Sequence, residues 1–318
     1  MSTWLAGTYT ADMDGTAQGI LALASRPDGS LEVTGLAAVA SSPSYLLADG
    51  DTVYAVAEAA GQVVAFTRSA DGLERGAAAS AGGEAPCHLG LYGSTLIVAN
   101  YVSGSLGVLE TSPLALVQQL DATGNGPHHV QDGPHAHSTL QLADGRVLSA
   151  DLGADRIHVH TLSGGSLERT ASVELPGGTG PRDIVQLASG NLLVLAELGG
   201  AVFVLSPALE TLATVPIPGA EPGDHAAGIS LWGDFVYVAL RGSNTIGVLR
   251  LTDATLEPVA SVSSAGNWPR HHVVDGSVLH VANQLSSTVA SFDLSEGGIP
   301  RLLAEPTPVA SPTFLLRF

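Results

Sequence analysis

Apolar and polar residues alternate along this chain in short runs, and the runs come in threes. Between Gly133 and His160 the sequence GPHAHSTLQLADGRVLSADLGADRIHVH predicts three consecutive strands. STLQLA alternates and stops at the turn ADGR. RVLSAD follows and stops at LGAD. RIHVHTL is the third, and its period of two puts His158 and His160 on one face. A tight hairpin needs a residue at positive φ, and Gly145 in the first turn supplies it.

The same pattern recurs along the whole chain. Hairpin turns like ADGR stand at Gly50, Gly93, Gly145, Gly190, Gly233 and Gly276, separated by 43, 52, 45, 43 and 43 residues. Each is followed by a strongly apolar run: TVYAVAE, TLIVANY, RVLSADL, NLLVLAEL, FVYVALR and VLHVANQ. A further strand follows each of these, from QVVAFTR to TVASFDL. A second family of turns ends those third strands, at 25–32, 69–74, 111–114, 162–168, 206–210, 252–257 and 295–299. The six turns of one kind and seven of the other are reconciled if TFLLRF at 313–318 pairs with TWLAGTY at 3–9, so that one unit is built from both ends of the chain. A period of about 40–50 residues with four strands per unit predicts a seven-bladed β-propeller, all antiparallel, as one domain over 1–318. A pair of β-sandwiches would explain the strands but not the constant period.

In such a ring, the segment leading into each innermost strand and the exit from the second strand share one face. The lead-ins are SSPS at 41–44, APCH at 85–88, GPHAH at 133–137, GPRD at 180–183, DHAA at 224–227, WPRHH at 268–272 and ASPT at 310–313. The exits hold Glu58, Asn100, Asp151, Glu197, Arg241, Asn283 and Gln284. His88, His135, His137, Arg182, Glu197, Arg241, Arg270 and His271 are thereby expected round one mouth, with Asn100, Asp151, Asn283 and Gln284 beside them. The opposite turns carry mainly Gly, Ser, Asp and Ala, so one face is chemically rich and the other plain.

Composition narrows the partners. Of 318 residues, 45% are hydrophobic and 13% charged, so disorder is not expected. The formal charge is −18 and there is no lysine, which excludes Schiff-base and P-loop lysine chemistry and disfavours nucleic acid and anionic membrane surfaces. Cys87 is alone, which rules out an internal disulfide and fits a reducing, cytoplasmic setting. No signal peptide is evident at the N-terminus. The longest apolar runs, such as GILALA at 19–24, are far too short to span a bilayer.

GTYT, SPSYL, ANYVSGSLGV at 99–108, PHAHS with ADLGADRI, GPRD, AELGGAV and ANQLSSTV together resemble the lactonase family of seven-bladed propellers, which contains 6-phosphogluconolactonases and carboxymuconate-lactonising enzymes. The resemblance covers essentially the whole chain. It implies a catalytic group of the PHAH histidines His135 and His137, Arg182, Glu197 and an arginine from Arg241 or Arg270. No cofactor and no metal are expected. The sequence departs from the family pattern at Asp183, where His is common, at Ala196 for Asn, at Gly228 for Glu and at His271 for Asp.

Ester chemistry fits these residue types. A lactone carbonyl needs a base for water, donors for the developing oxyanion and a clamp for the substrate's own charge. Histidine suits the first and the planar fork of arginine the last. Other readings exist for each group. Arg182 and Glu197 also suit a strut between two strands of one blade. His158 and His160, on a third strand, are expected to be structural. His128 and His129 lie in a Gly/Pro-rich connection that suits a plain loop or a flap. His135, His137 and Asp151 have zinc-ligand types but arginine neighbours, which oppose a cation. Cys87 beside His88 points away from it and is a poor nucleophile pair. The expected function is hydrolysis of an anionic sugar-acid lactone, 6-phosphogluconolactone first, by a monomer or weak homo-oligomer. The alternatives are a carboxymuconate-type cycloisomerase and a non-catalytic binding propeller. The last would need an apolar or aromatic patch, and aromatic content is only 5%.

Overall fold

Seven antiparallel sheets account for nearly all the regular structure in the computed structural model, which describes residues 3–252 and 255–318. Two single-turn 3-10 segments, Ala11–Met13 and Glu58–Ala60, are the only helical pieces among the described residues. The blades run from Leu46–Asp49 to Gly72–Ser80, Pro86–Tyr92 to Leu114–Leu120, Ala136–Gln141 to Ser166–Glu174, Pro181–Gln186 to Thr211–Pro216, and His225–Trp232 to Leu256–Ser263. The sixth starts at Pro269–Asp275, and its outer position is shared by two short strands, Arg301–Leu302 and Thr307–Pro308, which both pair with Thr288–Asp293. In the seventh, the C-terminal Pro312–Arg317 pairs with the N-terminal Thr3–Thr8, with Trp4 opposite Arg317 and Ala6 opposite Leu315. Gly19–Ser25 and Leu31–Val39 complete that sheet. The blade built from both chain ends is therefore present.

The hairpin turns have the expected backbone. Gly50, Gly93, Gly145, Gly190, Gly233 and Gly276 all take positive φ, between 56° and 89°. At five of them a Cβ would meet nothing within 4 Å. The backbone angle, not space, is what calls for glycine there. Of the outer turns, the one at 252–257 includes residues 253 and 254, which lie outside the described residues.

The second strand of each blade is buried on both faces, which is why it reads as an unbroken apolar run: Thr95–Asn100 and Leu192–Ala196 are buried throughout. Neighbouring blades supply the cover. Leu148, Ile157, Leu192, Val194 and Phe203 share one cluster, and Trp4, Leu23, Val289 and Leu315 share another. Truncating such a leucine to alanine costs about 2–5 kcal/mol. His160 and His280 are buried within these layers, each bonded at 2.9 Å to a serine hydroxyl, Ser149 and Ser291. His158 is buried as well, so the structural reading of the two third-strand histidines matches their surroundings.

Two compact units divide the chain. One comprises Met1–Ala48, Arg68–Glu74 and Val215–Phe318, the other Asp49–Thr67 and Arg75–Thr214.

Candidate active site

A backbone irregularity at the start of the innermost strands sets the local chemistry. In the second blade Pro86 faces Asn100 and His88 faces Ala99, so Cys87 is an extra residue. The same skip makes His137, Arg182, Ala227, Arg270 and Thr313 the extra residues of blades three to seven. A β-bulge leaves its extra residue out of the ladder and re-aims its side chain. Just before the bulge, Ala85, Gly180, Trp268 and Ser311 hold positive φ of 52°, 58°, 64° and 37°. Their carbonyls accept the backbone N–H of Tyr101, Glu197, Gln284 and Tyr9 respectively, at 2.8–3.0 Å. The exit residue is thereby locked beside the lead-in.

In the second unit the structure separates two histidines that the sequence left equivalent. His135 is buried and stacks on Tyr101, with centroids 4.5 Å apart and planes at 11°. Its Nδ1 lies 2.8 Å from the Tyr101 carbonyl and its Nε2 3.0 Å from that of Val130. The Asp132 carboxylate is a further 3.3 Å neighbour of Nε2. Both ring nitrogens are thus directed at protein acceptors. His137, on the bulge, is half-buried and meets Tyr101 edge-on at 5.7 Å. In the next blade, buried Arg182 donates through Nη1 to Oε2 of buried Glu197, which fixes the guanidinium plane. The strut anticipated between these two residues exists, and it also orients a fork of donors.

The remaining candidates of this unit are engaged with the chain. Asp151 is buried, and its Oδ1 accepts the backbone N–H of His135 at 2.8 Å and of Ala154 at 3.0 Å. Its Oδ2 is 3.2 Å from Nε2 of His158. Asn100 is buried and donates to the Ala81 carbonyl at 3.0 Å. Burial pushes the His88 imidazole down to about 4, so it is neutral at neutral pH. Sequence reasoning missed Gln131. This buried amide donates to the Leu152 carbonyl at 2.7 Å and to Asp155 Oδ1 at 2.8 Å, and accepts the His128 N–H at 3.0 Å. It ties down the connection that carries His128 and His129. A lone amide in a Gly/Pro-rich stretch was the available signal.

In the first unit Arg270, on its bulge, lies over the Tyr9 ring at 4.7 Å. Arg241 is buried, donates from Nε to the His225 carbonyl at 3.2 Å, and lies 5.4 Å from the Trp268 ring. His271 packs on Phe314 and accepts the Leu315 N–H at Nδ1, 3.2 Å. Asn283 is buried and donates to the Ser264 carbonyl at 2.9 Å. Gln284, half-buried, bonds Trp268 through its backbone. Among the described residues no three His, Cys, Asp or Glu side chains are grouped as a metal ion would require.

The family model described as "Lactonase, 7-bladed beta-propeller" matches residues 3–316. The chain belongs to this family. It is also 30% identical to the 6-phosphogluconolactonase of Bacillus subtilis over 253 residues, 71% of this chain and 72% of that protein. The crystal structure of a protein from Lactobacillus plantarum superposes with a TM-score of 0.93 at 27% identity, covering 100% of this chain and 99% of that one. A periplasmic gluconolactonase of Pseudomonas aeruginosa has a TM-score of 0.89 at 26% identity, with 99% and 98% covered.

As a lactonase-family chain it is a seven-bladed β-propeller with four antiparallel strands per blade. A Cβ at Gly228 would lie 3.3 Å from two atoms of the His272 ring. A larger residue there would need that buried imidazole, bonded to the Tyr237 carbonyl at 3.1 Å, to give way by a few tenths of an ångström. Asp183 turns its carboxylate to the next backbone N–H, that of Ile184, at 2.9 Å.

Proposed function

We propose that this lactonase-family protein hydrolyses the lactone of an anionic sugar acid, with 6-phosphogluconolactone as the first substrate to test. The observation that carries the reading is the bulge, which takes His137 and Arg182 out of the ladders of two adjacent blades while Glu197 orients the guanidinium. In the proposed step His137 accepts a proton from water as the water oxygen bonds to the lactone carbonyl carbon. Arg182 donates to the developing oxyanion or to the substrate's own anion. The ring C–O bond then breaks, and the imidazolium returns the proton to the departing oxygen. His135 is assigned to positioning, because both its nitrogens are directed at carbonyls. Cytoplasmic residence belongs to the same proposal, and cell fractionation checks it.

The gluconolactonase relative favours a second reading, a lactone without phosphate. Hydrolysis of fresh 6-phosphogluconolactone and of gluconolactone, each corrected for spontaneous opening, decides between the two. His137→Ala is expected to lower kcat by about 10²–10⁴-fold, the usual worth of a positioned base. His135→Ala is expected to act chiefly on stability. The opposite pattern would transfer the base to His135. Turnover of neither lactone would remove the hydrolase reading.

A further inference from the structure

Asp155 stands directly before the third strand of its blade, where the backbone turns left-handed at φ 52°. Gly61, Gly200, Asn244 and Ser287 hold the same place in other blades, at φ 53–63°. The carbonyls of Gly61, Asp155, Asn244 and Ser287 accept the N–H of the residue just past the outer strand, Ala81, Leu175, Ser264 and Val309 respectively, at 2.8–2.9 Å. Two of the side chains at this place also reach the lead-in of the next blade. Asn244 Oδ1 accepts the Trp268 N–H at 2.7 Å, and Ser287 Oγ accepts the Ser311 N–H at 3.2 Å. Asp155 makes the same latch, its Oδ1 accepting the Gly180 N–H at 2.7 Å.

That latch needs one acceptor, which an amide or a hydroxyl supplies. Asp155 is buried and brings two acceptor oxygens. Its Oδ2 accepts the Gly178 N–H at 2.8 Å, and its Oδ1 also accepts Gln131 Nε2 at 2.8 Å. Both sides of this clip lead to the site. The Gly180 carbonyl accepts the Glu197 N–H at 2.8 Å, and Glu197 pairs with Arg182. Gln131 follows Val130, whose carbonyl lies 3.0 Å from His135 Nε2. At the start of the same turn Asp151 accepts the His135 N–H at 2.8 Å. Between the two acids, a Cβ at Gly153 would lie 1.9 Å from the Gly133 oxygen, so glycine lets the third-blade lead-in approach. The turn at 151–155 thus carries one carboxylate for each of two adjacent lead-ins, that of His135 and His137 and that of Arg182.

We infer that Asp155 is a positioning residue: its carboxylate clips the Gly178–Gly180 lead-in to Gln131 and so fixes where the Arg182 guanidinium stands against the lead-in of His135 and His137. Its effect on turnover rests on the lactonase reading, and the experiment separates the two.

Asp155→Asn keeps a single acceptor, as in the Asn244 latch, and sets its amide NH₂ against the Gly178 N–H, donor to donor. Rates and spectra are taken well below the melting transition of each variant, so that loss of folded protein does not enter. Asp155→Asn is expected to lower kcat on 6-phosphogluconolactone about ten- to a hundredfold, the range for a displaced site group. In protein labelled with ¹⁵N-arginine, the Nε–H signal of Arg182, identified by its absence from Arg182→Lys, is expected to shift or broaden, while those of Arg250 and Arg301 stay in place. A strut without a positioning role would leave the Arg182 signal where it is. An unmoved Arg182 signal, or a kcat within threefold of wild type, overturns the inference. If wild-type protein turns over neither lactone, the lactonase reading fails, and the Arg182 signal alone decides whether Asp155 positions the guanidinium. If Asp155→Asn does not fold, Asp155→Ser, with the side chain of the Ser287 latch, is read in the same two ways.

Discussion

The two ends of the sheets meet a demand for positive φ with different residues. At the hairpin end, positive φ falls on Gly50, Gly93, Gly145, Gly190, Gly233 and Gly276. At the lead-in end it falls on Ser42, Ala85, Trp268 and Ser311, and on glycine at Gly180. The hairpin end is free of neighbours at almost every glycine, so only the turn dictates the residue. The lead-in end carries bulges, a buried Arg182–Glu197 pair and rings packed against guanidinium or imidazole. Strain accepted on residues with side chains, beside charges taken out of water, is the pattern of a site rather than of a scaffold. A glycine turn costs little and says only where the chain reverses.

The comparison can be broken most severely by removing the strand that joins the chain ends. Deleting residues 312–317 takes Leu315 and its partners from the seventh blade, and cooperative melting is expected to disappear in calorimetry. Survival of a normal transition would mean that the seventh sheet does not need its C-terminal strand.

Next in size is the buried ion pair. Glu197→Ala leaves a buried guanidinium without its carboxylate and should cost about 3–5 kcal/mol in denaturant unfolding. Arg182→Met combined with Glu197→Leu should restore much of that stability while activity stays lost. Recovery of both together would make the pair a strut and nothing more.

Acid sharpens the contrast between buried layers and site. Burial pushes His88, His272 and His280 down to about 4. Burial first, then the charges of Arg169 and His158, pushes His160 down to about 3. Their unfolded value is about 6.5. Between roughly pH 6.5 and 4 the unfolded chain binds protons that the folded chain does not, so stability rises with pH in that window and is lost as pH falls through it. Each histidine contributes at most about 1.4 kcal/mol per pH unit to this slope. Unfolding titrations at pH 7, 6, 5 and 4 measure it. His272→Gln, whose amide can still donate to the Tyr237 carbonyl, is expected to flatten the profile. An unchanged slope would show that His272 is not neutral in the fold.

The smallest effect is at the hairpin end. Gly145→Ala forces an alanine into the left-handed region and should cost about 1–2 kcal/mol, with kcat/KM unaltered. Ala85→Gly, at the lead-in end, should change stability by less than about 1 kcal/mol. A large activity loss in Gly145→Ala would erase the distinction between the two ends.

What the sequence by itself determined is what depends on neighbours along the chain. A strand's period of two, a glycine at positive φ and the recurrence of both are local, so the blades and the blade made from both termini were legible from turn spacing alone. Arg182 and Glu197 were legible as partners because one hairpin connects them. The bulges were not, because an extra residue is a relation between two strands and neither strand shows it alone. That register singles out His137 from His135, which share one short motif and one residue type. Trp268 and Gln131 were hidden for the same reason. Their contacts are with a guanidinium 27 residues earlier in the chain and a carbonyl 21 residues later, and only tertiary packing decides which distant groups a side chain meets.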